Sequence, residues 1–146
     1  MPDDPVDIVN WRRLDARVTT SGQPSVDQLG RIAALGVREV INLGLHTHER
    51  ALPDEAGAVA GLGMRYTHLP VDFNAPTAAD FAAFVAAFEA SAPDPVHVHC
   101  IMNWRVSAFF YRYRRDVLGL DPAAIRADMD AIWSPDPVWT AFLSGR

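Results

Sequence analysis

The sequence predicts an α/β fold, one central sheet of four to five mostly parallel strands with helices on both faces. Three observations carry this expectation. Short β-branched runs alternate along the chain with segments of helical apolar spacing, which is the pattern of strands joined by helical crossovers. Glycines close several of the helical segments, at Gly36, Gly63 and Gly119. No repeat, linker or low-complexity stretch divides the 146 residues, so one core is expected over 1–146.

After a Pro- and Asp-rich opening, Arg17 to Thr20 reads as a strand and Ser21 to Pro24 as a turn. Ser25 with Gln28 three residues on forms a capping box for a helix whose apolar face is Val26, Leu29, Ile32, Ala33 and Leu35. Val37 to Leu43 is a buried strand, Pro53 to Leu62 a weak Ala/Gly-rich helix, and Met64 to Val71 the next strand. Thr77 caps a helix over Ala78 to Ala90 with Phe81, Phe84, Val85 and Phe88 on one face. The strand Val96 to Cys100 follows. Beyond it the chain reads as all helical: Arg105 to Leu118, then Pro122 to about Trp133 with Asp121 as N-cap, then a short helix after Pro137.

Composition narrows the function classes. A formal net charge of −5 and a pI near 5.4 leave no broad basic footprint, so neither nucleic acid nor an anionic membrane is an expected partner. Any anion is expected to be held locally. With one cysteine there is no intrachain disulfide, and the opening MPDDPVDIVNWRR lacks a basic segment followed by an apolar run. The chain therefore reads as a cytoplasmic protein without a membrane span; its oligomeric state is not legible.

That cysteine lies in 95-PVHVHCIMNWRVSAFF-110. A strand end, a tight loop and a helix start place successive backbone N–H groups and the positive end of a helix around one point, which favours an oxyanion and a thiolate. Cys100 is thus a candidate nucleophile, Arg105 a candidate bidentate grip on the anion, and Asn103 and Ser107 polar neighbours. A buried structural cysteine is the competing reading.

The run HCIMNWRVSAF resembles the active-site loop of the cysteine-dependent protein phosphatases, the tyrosine and dual-specificity superfamily, whose pattern is HC, five residues, R, then S or T. With the SGQPS turn at Ser21 to Ser25, VINL at Val40 to Leu43 and LPVDF at Leu69 to Phe73, it resembles more narrowly the small bacterial phosphatase-like proteins. The likeness covers about 15–120, leaving 121–146 as a helical C-terminal part. It implies a phosphotyrosine protein phosphatase-like fold and a phosphomonoester hydrolase with no cofactor and no metal, acting on a phosphorylated substrate through a phosphocysteine. It also implies roles: Cys100 as nucleophile, Arg105 on the phosphoryl oxygens, Asp72 as proton donor, and His99 ordering the loop. Ile101, Met102, Asn103, Trp104, Val106 and Ser107 would complete the anion-binding shell.

The loop departs from the pattern by one residue, and two alignments stay open. Either the loop has six residues, CIMNWR, the length of a rhodanese-type sulfurtransferase loop, and Arg105 keeps its place. Or Ser107 is the anchor, Val106 stands at the usual arginine, and Arg105 comes one position early, about 100° round the helix. In the second case the domain could be a phosphate-binding module without chemistry. Asn103 at the usual glycine suits a left-handed residue in either case.

Of the remaining features, His46 and His48 with His97 and His99 could meet in a metal site, or His46 and His48 could line the pocket or be solvated. Arg112, Arg114 and Arg115 with Asp116 read as a solvated stripe, Phe110, Tyr111 and Tyr113 as core and boundary, and WSPDPVWTAF as a packed tail covering the sheet with Trp133 and Trp139 or as a partner surface.

Overall fold

The computed structural model describes residues 2–145. Its sheet has the order β1-β2-β5-β3-β4, with β1 Arg12–Arg13, β2 Val18–Ser21, β3 Glu39–Asn42, β4 Arg65–His68 and β5 Val96–His99. Only the β1–β2 pair is antiparallel; β2–β5, β5–β3 and β3–β4 are parallel. Parallel neighbours need a crossover, and the helices supply it: α1 Val26–Ala34, α2 Glu55–Gly61 and α3 Ala78–Ser91. Three more helices follow the last strand, α4 Trp104–Asp116, α5 Pro122–Asp130 and α6 Pro137–Ser144.

Strand alternation sends neighbouring side chains to opposite faces. Val40 joins Leu29, Ile32 and Val59 beneath α1 and α2, whereas Ile41, Val96 and Val98 pack against Phe84, Phe88, Phe109 and Trp139 from the helices of the other face. Both faces are covered, so β5, paired on both edges, is fully buried. The capping boxes at Ser25 and Thr77 form as the sequence predicts, and Gly36, Gly63 and Gly119 all have positive φ.

Differences from the sequence reading have local causes. β1 is not visible in sequence, because two arginines show no alternation and their pairing with Thr19 and Thr20 is a tertiary event. β4 stops at His68 ahead of Pro70, although Leu69 and Val71 still donate to the carbonyls of Asn42 and Leu43. α4 ends at Asp116 and α5 at Asp130, both short of the expected Leu118 and Trp133.

The arginines of α4 are not a solvated stripe. Arg112 is buried, its guanidinium 4.8 Å from the Phe81 ring centroid and 4.6 Å from that of Phe142, and it bonds the Phe142 carbonyl and Asp116. Arg115 donates to the carbonyls of Leu143 and Gly145, and Arg114 shares Asp128 with Arg12. A helix C-terminus leaves carbonyls without intrahelical donors, and at α6 two arginines supply them. The tail is packed, with Trp139 fully buried.

Replacing Arg112 by Ala removes two ring contacts and the capping bond together. Urea denaturation should show a loss of about 1–3 kcal/mol; a change within about 0.5 kcal/mol, typical of a surface site, would return this residue to the solvated class.

Candidate active site

Cys100 follows the carboxyl end of β5, the middle strand, where open α/β sheets place their ligands. The chain then turns sharply into α4, and Asn103, at φ 66° and ψ 6°, is the left-handed residue that makes the turn. Its Nδ2 donates to the Asn10 carbonyl at 2.8 Å and to Thr20 Oγ1 at 3.0 Å, while Asn10 Nδ2 donates to the Met102 carbonyl at 2.8 Å. Asn10 also has positive φ, so two asparagines in left-handed conformations hold each other across 93 residues of sequence. The amide N–H groups of 101–106 find no acceptor among the described residues. They form a run of donors around the start of a helix, an arrangement suited to an anion.

The thiol lies at the base of a cleft of about 260 Å³. Leu45, Phe73, Ile101, Met102 and Trp104 give it apolar walls; His48, Asp72, Asn74 and Arg105 supply its polar groups. Arg105 is 6% exposed, its Nη1 donates to the Val71 carbonyl at 2.9 Å, and its buried Nε has no partner. No carboxylate pairs with it among the described residues. A buried, unpaired guanidinium is expensive unless an anion completes it. Arg105 faces the cleft, and Val106, one step round the helix, is fully buried in the core.

The cleft does not gather every residue assigned to it. Ser107 turns the other way, its hydroxyl donating to the Trp104 carbonyl and accepting from Trp133 Nε1 at 2.9 Å, because two helical steps carry it to the far side of α4. Val106 is core packing. Asn103 shapes the loop from below, and His99 does so from behind, fully buried, with Nδ1 against the Cys100 carbonyl and Nε2 on Glu55. Trp104 stacks on Trp133 with centroids 5.2 Å apart, which fixes one wall.

Glu55 and Asn10 were not legible from sequence. A glutamate in the first turn of a helix needs no further explanation, and nothing in the opening segment marks Asn10. Glu55 is buried, and burial pushes its carboxyl upward; the hydrogen bonds from His99 and Gln23 outweigh this and leave it below the usual range. His97 is also fully buried. Ser21 Oγ donates to the Gly22 carbonyl and so accepts from His97 Nε2, which leaves Nδ1 to accept from Thr19 Oγ1. Burial, and then the neighbouring His99, push His97 well below the ordinary histidine value. The four histidines do not converge: His48 lines the cleft, whereas His46 stacks on His68, and no group of three or more metal-ligating side chains occurs among the described residues.

Comparison with known proteins bears on this geometry. The family described as "Beta-lactamase hydrolase-like protein, phosphatase-like domain" matches residues 10–111, from the Asn10 latch through the whole cysteine loop. The chain belongs to this family. A beta-lactamase hydrolase-like protein of Agrobacterium fabrum is 33% identical over 123 residues, 81% of the chain and 27% of that protein. One from Xylella fastidiosa (strain Temecula1) is 34% identical over 90 residues, 60% of the chain and 21% of that protein. The phosphatase-like domain thus spans about a quarter of the length of these curated relatives. Among solved structures, a candidate phosphatase (DUF442) of Shewanella putrefaciens CN-32 superposes with a TM-score of 0.86 at 31% identity, covering 97% of this chain and 93% of the other. TpbA of P. aeruginosa, in complex with phosphotyrosine, has a TM-score of 0.77 at 20% identity, covering 99% and 88%, and shares the fold. No helix of the phosphatase-like domain is long and apolar enough to cross a membrane among the described residues.

Two measurements check the supports of the loop. Asn103→Ala keeps the left-handed φ but loses both side-chain bonds and should destabilise by about 2 kcal/mol or more, whereas Asn103→Gly, which removes the strain, should lose about 1 kcal/mol less; equal losses by urea denaturation would contradict a conformational role. His97 is neutral when folded and takes a proton when unfolded below about pH 6.5. Stability is therefore complete above that pH and falls as pH drops, by at most about 1.4 kcal/mol per unit for this one group. Melting curves from pH 7 to 5 should show a shallower decline for His97→Gln than for the parent chain, and parallel declines would exclude His97 as a source of it.

Proposed function

We propose that the phosphatase-like domain hydrolyses phosphomonoesters through a phosphocysteine on Cys100. The observation that supports this most is the unpaired, buried guanidinium of Arg105, which lines the same cleft as Cys100, at the end of a loop whose 101–106 amides have no acceptor among the described residues. Together they offer a positive charge and hydrogen-bond donors of the kind a phosphoryl group takes.

In the first step the Cys100 thiolate attacks phosphorus, the P–S bond forms as the ester P–O bond breaks, and the Asp72 carboxylic acid delivers its proton to the departing oxygen. In the second, water attacks the phosphocysteine, its proton passes to the Asp72 carboxylate, and the P–S bond breaks to release phosphate and the thiolate. Arg105 and the loop amides bear the charge on the equatorial oxygens in both transition states. The apolar walls favour a phosphate on an apolar or aromatic carrier over a highly hydrated one. The phosphotyrosine bound to TpbA is a ligand of that kind.

A binding module without chemistry would have Arg105 turned from the loop, and its place in the cleft speaks against that reading. Sulfurtransfer shares the six-residue loop length and is separated by its product.

Purified protein should turn over a small aryl phosphate, Cys100→Ser should show no turnover, and Arg105→Lys should lose about 10²–10³ in kcat, the scale of one preorganised donor. Trapping with the aryl phosphate should add one phosphoryl group to Cys100 by mass spectrometry. A persulfide after thiosulfate with no phosphoryl adduct would move the protein to sulfurtransfer; neither adduct would remove the cysteine chemistry.

A further inference from the structure

Asp72 is exposed at the mouth of the cleft, and its neighbours in sequence are both held. The carbonyl before it, Val71, accepts from Arg105 Nη1 at 2.9 Å, and the carbonyl after it, Phe73, accepts from Trp139 Nε1 at 2.8 Å. Its own Oδ1 accepts the Asn74 N–H at 2.9 Å and its carbonyl accepts that of Ala75, so the turn beyond it is closed. Oδ2 has no partner among the described residues and is the oxygen left for a substrate.

The Trp139 contact is built rather than incidental. The Trp139 indole is fully buried, its ring centroid is 5.6 Å from that of Phe73, and the backbone N–H of Trp139 donates to Asp136 Oδ1. α6, which carries it, is tied to α4 by Arg112 on the Phe142 carbonyl and Arg115 on those of Leu143 and Gly145. Arg105 lies near the start of the same α4. One helix therefore fixes Asp72 from two sides, directly through Arg105 and indirectly through α6.

We propose that Trp139 is a positioning residue for proton transfer, holding Asp72 over the thiol through the Phe73 carbonyl. The proposal rests on the phosphatase reading above, with Asp72 as proton donor. A general acid acts only within hydrogen-bond reach of the leaving oxygen, so a backbone clamp on each side of it replaces a loop that would have to close over substrate. A residue that merely stabilised the fold would affect all esters alike. One that places the acid affects only esters whose leaving groups need the proton.

The test is a leaving-group series, from nitro-substituted aryl phosphates, whose phenols depart unaided, to phenyl phosphate, with the parent chain, Asp72→Asn and Trp139→Phe. Both variants should lose at least about fivefold more in kcat/KM for phenyl phosphate than for the nitroaryl esters, a leaving-group bias within the range of one general acid. Trp139→Phe lowering every ester by one common factor would overturn the proposal while leaving Asp72 as the acid. An Asp72→Asn variant without leaving-group bias would instead remove Asp72 as proton donor, and Trp139 with it, leaving Cys100 chemistry untouched. If Trp139→Phe lacks a cooperative melt, the benzothiophene analogue of tryptophan placed at 139, which keeps the ring and lacks the N–H, answers the same question by the same two outcomes.

Discussion

The site turns on one backbone dihedral. At φ 66° Asn103 reverses the chain between β5 and α4, and this reversal points consecutive amides inward and sets the rotation of α4 about its axis. From that rotation follow the direction of Arg105 into the cleft, of Val106 into the core and of Ser107 toward Trp133. A non-glycine residue is held there by bonds that glycine could not make, to the Asn10 carbonyl and Thr20 Oγ1. The conformational cost of the left-handed region, about 1–2 kcal/mol, is offset by two buried hydrogen bonds of comparable worth.

Around this turn the surroundings are arranged in shells of different chemistry. Beneath β5 lie hydroxyls and imidazoles, with His97 neutral between Thr19 and Ser21 and His99 pinned by Glu55. Above it the aromatic rings of Phe73, Trp104, Trp133 and Trp139 form a continuous wall. The polar side fixes the loop without competing for the anion, because its donors are already used. On the aromatic side, Phe73 and Trp104 line the cleft and Trp133 and Trp139 pack behind them. Gly22 marks how closely these parts meet: a Cβ there would lie 2.4 Å from both the Ile101 carbonyl oxygen and Val9 Cγ1.

Much of this was legible in the sequence. Strand and helix periodicity gave the order of elements, and local chemistry gave the caps at Ser25 and Thr77 and the left-handed Asn103. The HC loop and LPVDF named Cys100, Arg105 and Asp72, which the fold does bring to one cleft. What failed depended on distance in sequence or on a fraction of a helical turn. The direction of Ser107 differs from that of Arg105 by two residues, and loop length alone could not say which faces inward. Asn10 and Glu55 act across 93 and 44 residues, and the arginines of α4 bury themselves only because α6 offers its carbonyls. No window along the chain contains those partners.

That same spread across the chain has a kinetic side. Parallel pairing already makes contacts distant in sequence, and the groups around Cys100 come from Asn10 near one end and Trp139 near the other. Domains rich in such distant pairings fold slowly, and synthesis proceeds from the amino end. The thiol loop and its arginine therefore leave the ribosome about forty residues before the indole that holds the Asp72 loop. Because a domain folds as a unit, the cleft assembles only once the α6 segment that holds the Phe73 carbonyl has emerged.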